Sequence, residues 1–90
     1  MKDNSVSYGR IQSVKELGNL IRSLRKQKQL TIETVSGLGN LSPRFLSELE
    51  RGKETAEIGK ALKVLRTLGL EVVVRPREIR EPTTTSQQED

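Results

Sequence analysis

Apolar residues first recur at helical spacing from Val14 onward. Val14, Leu17, Leu20, Ile21 and Leu24 fall on one stripe, and Lys15, Arg22, Arg25 and Lys26 lie largely off it. Ser13 followed three residues later by Glu16 is a capping box. A first helix is therefore expected to run to about Gln27, its cations gathered at the end where they suit the helix dipole. Thr31 caps a second, short helix over 31–38, with Glu33 in its first turn and Ile32 and Val35 as apolar contacts. Gly37 and Gly39 break that pattern, and Asn40 and Leu41 form a turn. Ser42-Pro43 restarts a helix, serine as the cap and proline at the first helical position, where its missing N–H costs nothing. From this third helix Leu46 and Leu49 are expected to face inward, with Phe45 at the edge and Arg51-Gly52 as the stop.

Residues 53–57 connect, with Thr55 a candidate cap. Ile58, Ala61, Leu62, Leu65 and Leu68 make the next stripe and predict a fourth helix over about 56–68, ended by Gly69; a split near Gly59 would give five short helices. Leu70 to Arg75 (LEVVVR) is β-branched and alternating, which reads as a strand. The chain offers no second strand, so its backbone groups need a partner elsewhere. Pairing antiparallel with a second copy about Val73 sets Glu71 opposite Arg75 twice by symmetry and puts Leu70, Val72 and Val74 on one face toward the helices. The alternative is an apolar extension packed on its own domain. Residues 1–12 show no periodicity and read as a flexible arm. Residues 76–90, rich in Pro, Thr, Ser, Gln and charge, read as a disordered tail. The expected organisation is one all-α domain over 13–75 with a C-terminal strand pairing across a homodimer.

Composition removes whole classes of chemistry. Ninety residues suit one small domain, and one Tyr, one Phe and no Trp argue against single-strand nucleic-acid modules built on stacking. The absence of Cys and His excludes thiol nucleophiles, disulfides, imidazole acid–base chemistry and the usual zinc sites. A reducing cytoplasm is the expected compartment, since no apolar run spans a membrane and MKDNSVSYGR lacks a signal-peptide core. Glu48 with Glu50, and Glu54 with Glu57, are carboxylate pairs, but they lie on or beside short surface helices with no cleft implied. Gly37-Leu38-Gly39 is too short for a phosphate loop and follows no strand. No enzyme activity, metal or cofactor is expected. Charge is uneven: residues 1–75 hold 14 basic and 8 acidic groups, net +6, while 76–90 hold two arginines and four acids, net −2. A basic body suits a polyanion partner, though solubilising charge would look the same.

Two short helices around a tight turn at 39–41 make a helix-turn-helix. Leu30-Thr31, Val35, Leu41-Ser42, Leu46-Ser47 and Leu49-Glu50-Arg51-Gly52-Lys53 resemble the LT…L…VS…IS…IE.GK pattern of Cro/C1-type (XRE family) DNA-binding domains. Leu17 to Lys26 (LGNLIRSLRK) matches that family's first helix, and the resemblance covers about residues 14–68. Ala61 to Val74 (ALKVLRTLGLEVVV) further resembles the end of HipB-like antitoxins, in which a strand after the last helix pairs across the dimer.

The resemblance implies a lambda-repressor-like fold and a dimeric repressor of its own operon that also binds a HipA-like Ser/Thr kinase toxin, as one chain or split. It places the third helix in the major groove of operator DNA, with Ser42, Pro43, Arg44, Ser47 and Glu48 over the bases. Arg44 is the leading base reader, because its planar fork matches guanine O6 and N7. Glu48 either accepts from a cytosine N4 or repels phosphate and orients Arg44. Ser42 serves first as a helix cap, and Pro43 offers only apolar contact. Lys28, Thr31, Arg51 and Lys53 are the phosphate candidates, with a solvated surface as the alternative for each. The family often has Gln after the threonine; here Ile32 removes that contact or leaves it to backbone amides. Arg25 and Glu50 occupy the positions of a structural ion pair between the first and third helices. Two other functions stay open: a stand-alone or phage-type regulator without a toxin, and a protein-interaction adaptor that has lost DNA binding.

Overall fold

The computed structural model describes residue 6 and residues 8–77. The rest of the expected arm and most of the expected tail lie outside the described residues. Among the described residues four helices follow one another: α1 (Val14–Gln27), α2 (Ile32–Leu38), α3 (Pro43–Glu50) and α4 (Ile58–Thr67).

Short polar side chains start the first three helices. Ser13, Thr31 and Ser42 each hold extended backbone and accept a hydrogen bond from the N–H three residues on, at Glu16, Thr34 and Phe45. Each satisfies one donor that the first turn leaves without a partner. The capping box at α1 is offset by one residue: Glu16 reaches back to the N–H of Gln12, at 2.6 Å, and not to that of Ser13. The fourth helix begins later than its periodicity predicts. Its cap is Glu57, which makes no side-chain cap bond, and Thr55 takes no part.

Ile21, Leu24, Val35, Leu46, Leu49, Ala61, Val64, Leu65 and Leu68 form one core. Val6, Val14, Leu17, Leu30, Ile32, Leu41, Phe45, Ala56 and Leu70 pack around it. Val6 thereby ties part of the expected flexible arm to the domain. The stripe on α4 differs from the expected one. Val64 is buried, whereas Ile58 and Leu62 face solvent at 72% and 38% exposure. Ala61, Leu65 and Leu68 belong to both stripes, so packing against α2 selects Val64 on one flank over Ile58 and Leu62 on the other.

After Gly69 the described chain forms no strand, and no described residue pairs with it as a ladder. Leu70 packs on the core. Val72, Val73 and Val74 are exposed, so the expected covering of the helices by Val72 and Val74 is not made within one chain.

The junction of α1 and α3 is the closest in the domain. A Cβ on Gly18 would collide with the backbone oxygens of Leu49 and Glu50, so only glycine allows this approach. Gly52 continues the contact. Its φ is +89°, and a Cβ there would meet the Lys15 backbone at 2.9 Å. Nearer the end of α1, Arg25 donates from Nε to Glu50 Oε2 at 2.7 Å and from Nη2 to Oε1 at 3.0 Å, while Nη1 bonds the Leu30 carbonyl at 2.9 Å. Both side chains are under 10% exposed (9% and 5%). The hydrogen bond to Glu50 outweighs desolvation and holds the Arg25 guanidinium above its ordinary pKa.

Two outcomes are expected in urea unfolding. Gly18→Ala lowers stability by about 1–3 kcal/mol through overpacking against rigid backbone. Glu50→Ala strands a buried guanidinium and costs about 3–5 kcal/mol, whereas the apolar double replacement Arg25→Met with Glu50→Leu costs far less.

Candidate nucleic-acid interface

The sequence of α3 sorts itself into two faces. Leu46, Leu49 and Glu50 point into the domain. Arg44, Ser47, Glu48 and Arg51 recur at i, i+3, i+4 and i+7 and form the outward stripe. Ser42 and Pro43 are exposed at its N-terminal end, where Ser42 Oγ is engaged as the cap at 3.0 Å from Phe45 N.

Side chains along that stripe are already connected. Arg44 Nε donates to Glu48 Oε2 at 3.1 Å, and Lys53 Nζ donates to Glu48 Oε1 at 3.0 Å. Arg51 Nη1 donates to Ser47 Oγ at 2.7 Å. Lys53 reaches Glu48 because the chain reverses after Arg51: Gly52 takes a positive φ, and the Lys53 N–H bonds the Glu48 carbonyl at 3.1 Å. Five of the residues singled out from sequence, Arg44, Ser47, Glu48, Arg51 and Lys53, thus share one surface.

Exposure differs sharply within the cluster. The Arg44 side chain is 86% exposed and that of Glu48 only 22%, so the arginine projects and the carboxylate sits at its base. Lys53, at 49%, flanks it.

Thr31 and Lys28 occupy the other helix start. Thr31 Oγ1 caps α2 and also donates to Thr34 Oγ1 at 2.9 Å. Lys28 is exposed at the C-cap of α1. No hydrogen bond among the described residues joins these two to the α3 cluster. Ile32 is half-buried against the core, so the position after Thr31 contributes packing and not a polar group. Arg25 is buried in its pair with Glu50, which takes both away from any surface role.

Sequence reasoning missed one contact at the edge of this surface. Lys60 of α4 stands 5.7 Å from the centre of the Phe45 ring, a cation–π contact between α3 and the start of α4. No sequence spacing signals it. No group of acidic side chains that could hold a metal occurs among the described residues. No helix among them is long and apolar enough to cross a membrane.

Hydrogen bonds from Lys53 and then from Arg44 hold the Glu48 carboxyl below the ordinary carboxylate range. The sign follows directly. With its pKa lowered in the folded state, Glu48 contributes stability above the unfolded-state value and loses it as pH falls through the lowered value. A side-chain NMR titration should find Glu48 ionised throughout the mildly acidic range. Lys53→Met should move its midpoint upward more than Arg44→Met does.

Comparison with known proteins agrees with this geometry. A helix-turn-helix domain family matches residues 18–72. The uncharacterized HTH-type transcriptional regulator y4mF of Sinorhizobium fredii is 40% identical over 72 residues, covering 79% of this chain and 95% of that protein. Among solved structures, a HipB–O4 20mer complex superposes with a TM-score of 0.73 at 18% identity, covering 79% of this chain and all of the other. A HipB variant in an O2 20mer complex gives 0.74 at 19% identity, over 80% of this chain and all of the other. At these identities the two structures establish the shared fold. The chain therefore belongs to the Cro/C1-type (XRE) helix-turn-helix family of transcriptional regulators, with a HipB-like fold.

Proposed function

We propose that this protein is a dimeric, sequence-specific DNA-binding repressor that controls its own promoter and serves as antitoxin to a HipA-like kinase. The observation that carries the DNA reading is the outward stripe of α3. Arg44 projects from it almost fully exposed, two residues after the Ser42 cap, with Ser47, Glu48, Arg51 and Lys53 on the same surface. A helix presented in this way fits the major groove, with its N-terminal residues over base edges. Arg51 and Lys53 then lie toward the backbone, as do Lys28 and the capped start of α2 at Thr31. The net +6 of residues 1–75 supplies the attraction to a polyanion.

Two copies would read two half-sites on one face of the duplex, about one helical turn (~34 Å) or a multiple of it apart. The dimer reading rests on the exposed valines at 72–74, an apolar segment in no ladder among the described residues, flanked by Glu71 and Arg75. The antitoxin reading rests on the HipB-like fold and on the resemblance of residues 61–74 to the end of HipB-like chains. One observation favours an adaptor instead: Glu48 already neutralises part of the charge on Arg44 and Lys53.

Purified protein mixed with the duplex upstream of its own coding sequence should form a two-copy complex by mass. Its affinity should fall steeply with salt. Arg44→Ala should weaken that complex by about 1–3 kcal/mol and lower the thermal midpoint only slightly, since its ion pair with Glu48 is exposed. A clean dimer that binds no duplex supports the adaptor. Val73→Asp, which brings like charges together at the two-fold axis, should yield monomers by light scattering. Co-expression with a neighbouring HipA-like kinase should give a co-eluting complex; separate elution refutes the antitoxin role alone.

A further inference from the structure

Arg44 has five N–H donors and uses one of them, Nε, on Glu48. No described residue takes its terminal nitrogens. Glu48 in turn uses one oxygen on Arg44 and the other on Lys53. It lies low on the helix while the arginine stands out above it. This arrangement suits Glu48 to act on DNA through Arg44 and not by touching a base.

We infer that Glu48 sets the specificity of the reading face: it fixes Arg44 by Nε so that the two terminal nitrogens lead, and it cancels the charge that would otherwise hold any DNA. This inference rests on the DNA-binding reading above. Guanine offers two neutral acceptors, O6 and N7, spaced for two arginine N–H groups. The Arg44 fork can meet them while Nε stays on Glu48, so the ion pair and the base contact coexist. A phosphate differs. It is drawn by net positive charge, and Glu48 removes one unit of that charge from Arg44 and Lys53 together. The carboxylate also repels a phosphate that approaches either cation. Glu48 therefore penalises backbone attachment, which every sequence offers, more than guanine recognition, which few do.

Glu48 links the two kinds of contact physically. Lys53 is held on it only through the reversal at Gly52. A phosphate that claims Lys53 leaves the whole carboxylate to Arg44, which tightens the hold on the reading side chain once the backbone is in register.

The test uses the full chain. A duplex bound by the wild type is first selected from a random pool. Wild type, Glu48→Gln and Glu48→Ala are then titrated at several salt concentrations against that duplex, the same duplex with its contacted guanine replaced, and an unrelated duplex. Circular dichroism melting checks that the variants fold.

Glu48→Gln keeps an oxygen for Arg44 Nε but loses the charge. It should bind the unrelated duplex roughly fivefold to tenfold tighter near 0.1 M salt, with a salt slope steeper by about 0.9. Its preference for the selected duplex should shrink by a smaller factor, because the selected duplex also offers phosphates to Lys53. Glu48→Ala should show the same gain and, in addition, lose discrimination at the guanine, because nothing then orients Arg44. Unchanged affinity and slope on the unrelated duplex overturn the inference. Equal loss on all three duplexes by folded variants also overturns it, since Glu48 would then aid binding to any sequence and not restrain it. Failure of the wild type to select or bind any duplex overturns the DNA reading, and this inference with it.

Discussion

Everything the surface of α3 can do depends on how its other end is anchored to α1. Gly18 lets α1 approach to the carbonyls of Leu49 and Glu50, and Arg25 closes on Glu50 with two hydrogen bonds and on Leu30 with a third. A buried ion pair is a poor source of net stability, because desolvation of both groups opposes the attraction. Its value here is directional. Leucines can pack in several registers, but a guanidinium fork between a carboxylate and a carbonyl accepts only one. The pair fixes the pitch of a helix only eight residues long, which local propensity would not hold in place.

That anchoring divides α3 chemically. Glu50 and Glu48 are two residues apart and face opposite ways. Glu50 is consumed by the fold. Glu48 is left to the surface, where it organises Arg44 and Lys53. One helix thus carries two carboxylate–arginine pairs with different consequences. The buried one is insulated from salt and sets geometry. The exposed one is screened, exchangeable and open to competition by a polyanion.

Much of this was legible in the sequence, for local reasons. Ser13, Thr31 and Ser42 mark helix starts because a cap bond spans three residues and depends on little else. The i, i+4 spacing of Arg44 with Glu48, and of Ser47 with Arg51, likewise announces contact. What escaped was set by tertiary structure. Ala61, Leu65 and Leu68 fit two stripes equally well, and only the position of α2 decides that Val64 is buried and Ile58 exposed. The start of α4 was misplaced because Glu57 makes no side-chain cap bond. Lys53 reaches Glu48 only through a positive φ at Gly52, whose neighbour, Lys15 of α1, lies far away in sequence.

The exposed valines complete the logic of a small domain. Among the described residues the core has nine buried apolar residues, none of them aromatic, and such a domain has limited means of holding itself together. Yet three β-branched residues stand in solvent at 72–74, directly after Leu70 has turned onto that core. An exposed β-branched segment of this kind is a liability in a monomer, because once extended it templates pairing with any strand. In a two-fold pair its N–H and C=O groups are satisfied and Glu71 meets Arg75 twice. Each Leu70 then joins its domain's core directly to the shared strand. Stability and spacing become one property in that arrangement. A strand that buried the valines in this way would also set the distance between two α3 helices, which a reader of paired half-sites needs fixed.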